Sequence, residues 1–401
     1  MPANDPTPAP LATPLYLDHA ATAPPLPEAM EAFIKASKTA YANPGSLHGL
    51  GALAARSLDQ SRKKLSKALG ARNYRLIWTG TGTEGNHLGI LGMAERVRTN
   101  AKLLAAAKSN ASGNPRVLVG AIEHPSSMDS ALSLRKQGFD VELIPADTQG
   151  VIQPDALAPM LAEDVALVIV HWANNELGSL SPIADLVALT RQKAPHASFH
   201  CDAVQAAGKR PESLYSLGAD TISVAAHKMG GIRGCAALFL KDGTPAPVPM
   251  FLGGGHEYGL RSGTENVMGA AAFAAAAEVR RQRLVEDPDR YLKRHAELLN
   301  HLRLAVPDLI VAGPTDPEFV MGSILSVAIP GTRAETLLHM LETKGISCGS
   351  GSACSAHGHT ESPILTAINF PKEHRNSVLR FSLDGSESIA DLQTIEVGEL
   401  I

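Results

Sequence analysis

Between residues 75 and 240 the chain repeats one pattern, a short run that is apolar on successive positions followed by a stretch with helical spacing. The runs are "RLIWT", "RVLVG", "VELIP", "VALVIVHW", "SFHCD", "TISVAA" and "CAALFL". A strand apolar on both faces needs cover on both faces, which a mostly parallel sheet between helices provides. The order therefore predicts an α/β architecture. Past residue 260 the pattern changes. "RSGTENVMGAAAFAAAAEVRRQRL" reads as one long helix, followed by a helix over 290–303, the strand "SILSVAI", a helix over 333–344 and the strand "VLRFSL". That predicts a smaller α/β C-terminal domain. The expected division is a disordered tail over 1–14, a segment over 15–30 that joins the small domain, a large domain over 31–284 and the small domain over 285–401. "NAKLLAAAKSNASGNP", low in complexity and ending in Gly-Asn-Pro, reads as a surface excursion after a helix.

Composition narrows the function classes. Of 401 residues, 36 are Lys or Arg and 40 are Asp or Glu, a net charge of −4 with no long run of either sign. Such a balance argues against a nucleic-acid or membrane-surface partner. No segment approaches the apolar length of a membrane span. The opening "MPANDPTPAPLATP" lacks the basic and apolar regions of a secretory signal. Four cysteines with no C-x-x-C spacing point away from a disulfide scaffold or a metal site and towards a reducing cytoplasm.

Three stretches could carry chemistry. In "WTGTGTEGNHLGI", Gly80, Gly82 and Gly85 form a G-x-G-x-x-G between a strand and a helix, a turn whose backbone and Thr83 hydroxyl can approach a phosphate. A dinucleotide site would also need an acidic residue about 20 positions on. Residues 96–115 contain none, so the nicotinamide reading falls and the phosphate reading stays. In "HCDAVQAAGK", Asp202 sits at the carboxyl end of a strand, the edge where open α/β sheets bind ligands, although an Asp there can simply cap the following helix. In "AAHKMGG", His227 and Lys228 end another strand. A lysine desolvated in a pocket beside an aspartate and a phosphate turn can form a Schiff base with a carbonyl.

A phosphate cradle, an acid for a pyridinium nitrogen and a Schiff-base lysine are what pyridoxal phosphate requires. Here the sequence resembles the cysteine desulfurases of the NifS/IscS type, class V aminotransferase-like members of the fold type I pyridoxal-phosphate enzymes. The resemblance runs from "YLDHAATAP" to "LRFSL" through "ANPGSLHGLG", "TGTGTEGNHL", "AIEHPS", "ANNELG", "HCDAVQAAGK", "AAHKMGG", "GGGHEYGLRSGTENV" and "SGSACS". It implies a large cofactor-binding domain and a small domain carrying a catalytic cysteine loop. Lys228 would hold the cofactor and Asp202 would pair with its pyridinium nitrogen. Gln205 and Asn175 would bond its phenolic oxygen, and His124 would stack on the ring and help move protons. Gly82, Thr83 and His227 would hold the phosphate, with Thr264 reaching over from a second subunit of a homodimer. Arg380, with Asn175, would bind the substrate carboxylate. Asn174, Glu176 and "GGGHEYG" would be supporting structure.

The implied reaction takes L-cysteine to L-alanine and a persulfide on Cys354, in "SGSACS", for a sulfur-acceptor or scaffold protein in iron–sulfur cluster or thiolation pathways. His357 or His359 would assist the thiol. Cys348, Cys201 and Cys235 belong to apolar runs and read as small buried hydrophobes. The chain departs from the family at Ala225, commonly a serine that bonds the phosphate, at His87, commonly Asn, and at His19, commonly Tyr. Several members also run further past "RFSL", in a segment that docks a scaffold. The alternatives are a selenocysteine lyase or another lyase with the same cofactor and, from another class, a non-catalytic scaffold or regulatory paralogue.

Overall fold

A computed structural model describes residues 15–98, 100–350 and 362–395. The tail before Leu15 and the segment holding Cys354, His357 and His359 lie outside the described residues. The strands are β1 (Leu15–Leu17), β2 (Tyr74–Thr79), β3 (Arg116–Gly120), β4 (Asp140–Ile144), β5 (Val165–Ile169), β6 (Ser198–Asp202), β7 (Thr221–Ala225), β8 (Ala236–Lys241), β9 (Ile310–Val311), β10 (Ile324–Ala328), β11 (Ile346–Ser350) and β12 (Val378–Ser382).

A seven-stranded sheet has the order β2-β8-β7-β6-β5-β3-β4. Its neighbours pair in parallel from β7 through to β4, and β8 alone runs against them, antiparallel to both β2 and β7. Every residue of β5, β6 and β7 is buried, as their unbroken apolar runs require. Edge strand β4 leaves Leu143 exposed while burying Val141 and Ile144. Each fully buried side chain of the size of Phe199 or Leu118 contributes about 1.5–3 kcal/mol of transfer free energy.

A five-stranded sheet has the order β1-β11-β12-β10-β9. Here β1 pairs in parallel with β11, Leu17 opposite Cys348, so the N-terminal segment completes a sheet otherwise built from the last third of the chain. Leu298, Leu302, Leu337 and Leu341 of the helices Arg290–Ala305 and Ala334–Thr343 pack with Leu325, Val327 and Phe381 into that sheet's own core.

Two elements differ from the sequence expectation. The helix expected from Arg261 starts at Val267, because the Asn266 side chain accepts the Gly269 N–H and caps it there. The expected excursion over "NAKLLAAAK" contains a helix, Ala101–Ala107. Asn100 caps it, Leu103 is wholly buried among residues of β3 and β5, and Ala107 is buried too, so alanine's helix propensity and one leucine anchor outweigh low complexity.

Candidate active site

The parallel strands of the large sheet deliver side chains to one edge. Thr81 to Thr83 follow β2, His124 follows β3, His171 and Asn175 follow β5, Asp202 ends β6 and Gln205 follows it, and His227 and Lys228 follow β7. From the other side come Ala20 and Ala21, which follow β1, and Arg380 of β12. Together they line one cleft of about 410 Å³. It lies at the carboxyl ends of parallel strands, where the fold class places ligands.

Close packing explains the glycines after β2. A Cβ at Gly82 would stand 3.0 Å from Val204, one at Gly85 would stand 3.1 Å from the Ser223 hydroxyl, and one at Gly89 would collide with the His200 ring. The Thr81 side chain accepts the Glu84 N–H and starts the helix Gly82–His87. One turn in, Asn86 donates to Asp202 Oδ2 at 2.7 Å and to Ser126 Oγ at 2.8 Å. His200 Nε2 lies 3.1 Å from Asn86 Oδ1, which fixes the amide from behind. Asp202 Oδ1 accepts the Val204 N–H at 2.9 Å. Asp202 is thus both the turn former and a carboxylate that lines the cleft.

Lys228 Nζ donates to the carbonyls of Ala20 and Ala21, the latter at 2.8 Å. Gln205 Nε2 donates to the same Ala20 carbonyl at 2.9 Å. Arg380 is 2% exposed and donates through Nη2 to Asp18 Oδ1 at 2.7 Å and through Nη1 to the Asn175 carbonyl at 3.2 Å. Its Nε has no partner among the described residues. A Cβ at Gly349 would press on this pair, 2.8 Å from Arg380 and 2.9 Å from Asp18.

The imidazoles differ in charge tendency. His124 caps the helix Pro125–Ser133, its Nδ1 accepting the Ser126 N–H at 3.1 Å. Burial lowers its pKa, against the pull of Asp202 and with the push of Lys228, so it is a neutral ring with its hydrogen on Nε2. Burial also takes His227 down to about 4, aided by Lys228 and Arg233, and its Nδ1 lies 3.3 Å from the Thr22 hydroxyl. At His171 burial opposes the charge, yet the Glu123 carboxylate 2.9 Å away outweighs it and the pKa is raised.

Burial pushes the thiols up: Cys235 and Cys348 to about 12, and Cys201, in the core, well above the usual value. Asp18 adds to the shift at Cys348. Thr264 is exposed, just before the helix Val267–Glu286, and is not among the residues lining this chain's own cleft. Asn174 holds the turn after β5 by accepting the N–H groups of Glu176 and Leu177 at 2.8 Å. Glu257 of "GGGHEYG" is spent on the Trp78 N–H and the Arg62 guanidinium.

Sequence reasoning missed Asp18, Asn86, Ser126, the His171–Glu123 pair and the Ala20 carbonyl. Asn86 alone had a legible signal, since it falls one helical turn after Gly82 on the face that meets β6.

Comparison with known proteins agrees with this arrangement. The aminotransferase class-V model matches residues 15–395, and the chain belongs to the class-V aminotransferase family. Over 388 residues it is 31% identical to the cysteine desulfurase IscS of Dictyoglomus turgidum, covering 96% of this chain and 94% of that one. It is 33% identical to the IscS-like cysteine desulfurase of Mycobacterium tuberculosis, covering 94% of this chain and 93% of that one. Within the class-V family, then, it stands among the cysteine desulfurases. The solved structure of a NifS-like protein matches with a TM-score of 0.85 at 28% identity over 96% of this chain and 99% of that one.

Proposed function

We propose that the protein is a pyridoxal-phosphate-dependent cysteine desulfurase that converts L-cysteine to L-alanine and leaves the sulfur as a persulfide on Cys354. The observation that carries this reading is the single cleft joining Lys228, Asp202, Gln205, the Gly82–Thr83 turn and Arg380.

The donor set suits the cofactor. Lys228 offers an amine for its aldehyde, Asp202 a carboxylate for its ring nitrogen, and Gln205 with Asn175 amide donors for its phenolic oxygen. The turn at Gly82 and Thr83, where a Cβ at Gly82 would press on Val204, offers close backbone approach for the phosphate, with His227 in the same cleft. Pyridoxal phosphate, when bound, supplies an electron sink for the pair left on the α-carbon.

The chain's own residues do the rest. The guanidinium of Arg380 binds the substrate carboxylate, a two-point contact that lysine cannot copy. Lys228 takes the α-proton at Nζ. His124, neutral and anchored through Nδ1, forms a wall of the cleft and a hydrogen donor at Nε2. The Cys354 thiolate attacks the sulfur of L-cysteine: an S–S bond forms, the C–S bond breaks, its electrons pass to the carbon skeleton, and a proton added at carbon completes L-alanine. Burial holds the thiols of Cys201, Cys235 and Cys348 in the protonated state at neutral pH, which leaves Cys354 as the nucleophile.

Thr264, placed outside its own chain's cleft, belongs on this reading to the phosphate site of a second copy, so the working unit is a homodimer. Free thiols at Cys201, Cys235 and Cys348 suit a cytoplasmic enzyme, and a sulfur-accepting partner follows from the persulfide product. No helix among the described residues is long and apolar enough to cross a membrane. The test is stoichiometric. Purified protein should carry a visible cofactor band and release one alanine per sulfur transferred from L-cysteine; a colourless protein that releases no alanine after addition of pyridoxal phosphate would sink the reading.

A further inference from the structure

One buried cation is not used by this chemistry. Lys209 is 3% exposed, and its Nζ donates to Gln205 Oε1 at 3.4 Å. Gly208, at φ +75°, turns the chain so that the lysine comes back under the glutamine one helical turn earlier in sequence. A Cβ at Gly208 would stand 2.7 Å from the Met229 sulfur, next to Lys228, so the turn is packed directly against the reactive lysine's segment. Burying a lysine side chain is costly, and most such groups are paired with a carboxylate. This one faces Lys228, Arg280 and Arg380, with Asp384 as the opposing charge, and His19 and His227 also feel its field.

Its contacts form a chain. Lys209 Nζ donates to Gln205 Oε1, Gln205 Nε2 donates to the Ala20 carbonyl, and Lys228 Nζ donates to that same carbonyl. An amide has one acceptor and one donor end. A donor behind Oε1 fixes which end faces the cleft. Without it, the Ala20 carbonyl alone holds the Gln205 amide against a turned arrangement, which would present an oxygen to the cofactor's phenolic oxygen, where a donor is needed.

We propose that Lys209 is a positioning residue that locks the Gln205 amide with its N–H toward the cofactor's phenolic oxygen. The inference rests on the reading that Lys228 and Gln205 hold pyridoxal phosphate, and it deepens that reading. Burial first, and then Lys228 and Arg280, bring the Lys209 pKa down to about 7, so the charge it presents to Lys228 fades as pH rises through the physiological range, while the amine remains a donor in either state.

The test uses the full cofactor-loaded protein and two readouts besides turnover: the dissociation constant for pyridoxal phosphate, and the midpoint of the pH titration of the bound cofactor's visible band. Lys209→Met should weaken cofactor binding roughly threefold to tenfold, the scale of one hydrogen bond. It should also raise the midpoint, since a nearby cation and a donor to the phenolic oxygen are both lost and both losses favour a proton at Lys228 Nζ. Lys209→Arg, which keeps a donor and a charge, should restore most of the affinity. In a Gln205→Ala background, Lys209→Met should cost nothing further. Melting of the cofactor-free variants checks the fold, and the arginine variant with the double substitution keeps the test valid if Lys209→Met is unstable. Wild-type affinity and midpoint in Lys209→Met, or an equal penalty with and without Gln205, would overturn the proposal. Failure of the wild-type chain to take up the cofactor, or a borohydride-reducible link that survives in Lys228→Ala, would instead overturn the reading beneath it, and this proposal with it.

Discussion

Arg380 Nη2 lies 2.7 Å from Asp18 Oδ1, so a residue from β12, the central strand of the small sheet, is fixed by one from the N-terminal segment, 362 positions away in sequence. The Asn175 carbonyl holds Nη1, and Nε has no partner among the described residues. A guanidinium anchored on two sides meets a carboxylate with little rotamer entropy left to lose.

Arg380→Lys should therefore raise KM for L-cysteine by roughly tenfold to a hundredfold, as for loss of a charge-assisted hydrogen bond, while cofactor content stays intact. Asp18→Ala should raise KM less, because the arginine is loosened rather than removed. Steady-state kinetics beside cofactor absorbance decides the matter, and an unchanged KM in Arg380→Lys would remove the carboxylate role.

The second expectation concerns pH. Burial raises the Glu176 pKa from 4.5 to about 7, partly offset by the Ser362 hydroxyl that donates to Oε2 at 2.7 Å and by Arg380. The folded state thus holds a proton there that the unfolded chain gives up at lower pH. This contribution is fully present below pH 4.5 and is lost as pH rises through about 7. A shift of this size corresponds to at most roughly 3 kcal/mol. Glu176→Gln, neutral at every pH, should flatten the fall in melting temperature between pH 5 and pH 8, values chosen to lie on either side of the titration. An identical fall in wild type and variant would show that the carboxyl ionises as freely in the folded chain as in the unfolded one.

Ala225 offers a gain of function. It is wholly buried, and a Cβ at Gly82 would stand 3.5 Å from its methyl group, so it lies directly beneath the turn assigned to the phosphate. Ala225→Ser should tighten cofactor binding by up to about tenfold, the value of one neutral hydrogen bond. Equal dissociation constants by equilibrium dialysis would mean that the hydroxyl cannot reach the phosphate, or that water already serves it.

How much of this was legible in the sequence depended on distance along the chain. The strands β5, β6 and β7 could be read from unbroken apolar runs, and Asp202 and Lys228 from their places at strand ends, because local pattern determines both. Asp18 could not be read. Its partner lies on β12 and their meeting depends on β1 pairing with β11, a long-range event with no local trace. The His171–Glu123 pair fails for the same reason, since it joins the ends of β3 and β5. The glycines of "TGTGTEG" were read for ligand approach, whereas Gly85 and Gly89 serve helix-on-sheet contact with Ser223 and His200.

The expectation for Thr264 comes from the family resemblance, and its position outside its own cleft is consistent with it. Subunits with Lys228→Ala and subunits with Thr264→Ala, each inactive alone, are mixed under exchange conditions. Each heterodimer should regain one working site, built from the intact Lys228 of one subunit and the intact Thr264 of the other. Activity that stays at background in confirmed heterodimers would count against a shared site.

The last expectation turns on which cysteine carries the sulfur. Cys348 sits in β11 opposite Leu17 and packs partly buried against the small core, with burial and Asp18 pushing its thiol up to about 12. Cys201 and Cys235 are enclosed in the large core. A sulfur carrier must be a thiolate at working pH and must reach both the substrate and an acceptor outside. These three satisfy neither demand. Cys354, in the glycine- and serine-rich "CGSGSACSAHGH", lies outside the described residues but has no such strand or core assignment in the sequence. Cys354→Ala should keep the cofactor band and its response to L-cysteine while losing persulfide formation and nearly all sulfide release. Cys348→Ala should retain most activity. Mass spectrometry of peptides after incubation with L-cysteine should place the added sulfur atom on the peptide bearing Cys354. Sulfur found on Cys348, with Cys354→Ala still turning over, would reverse the assignment and require β11 to open far enough to ionise a thiol that it now buries.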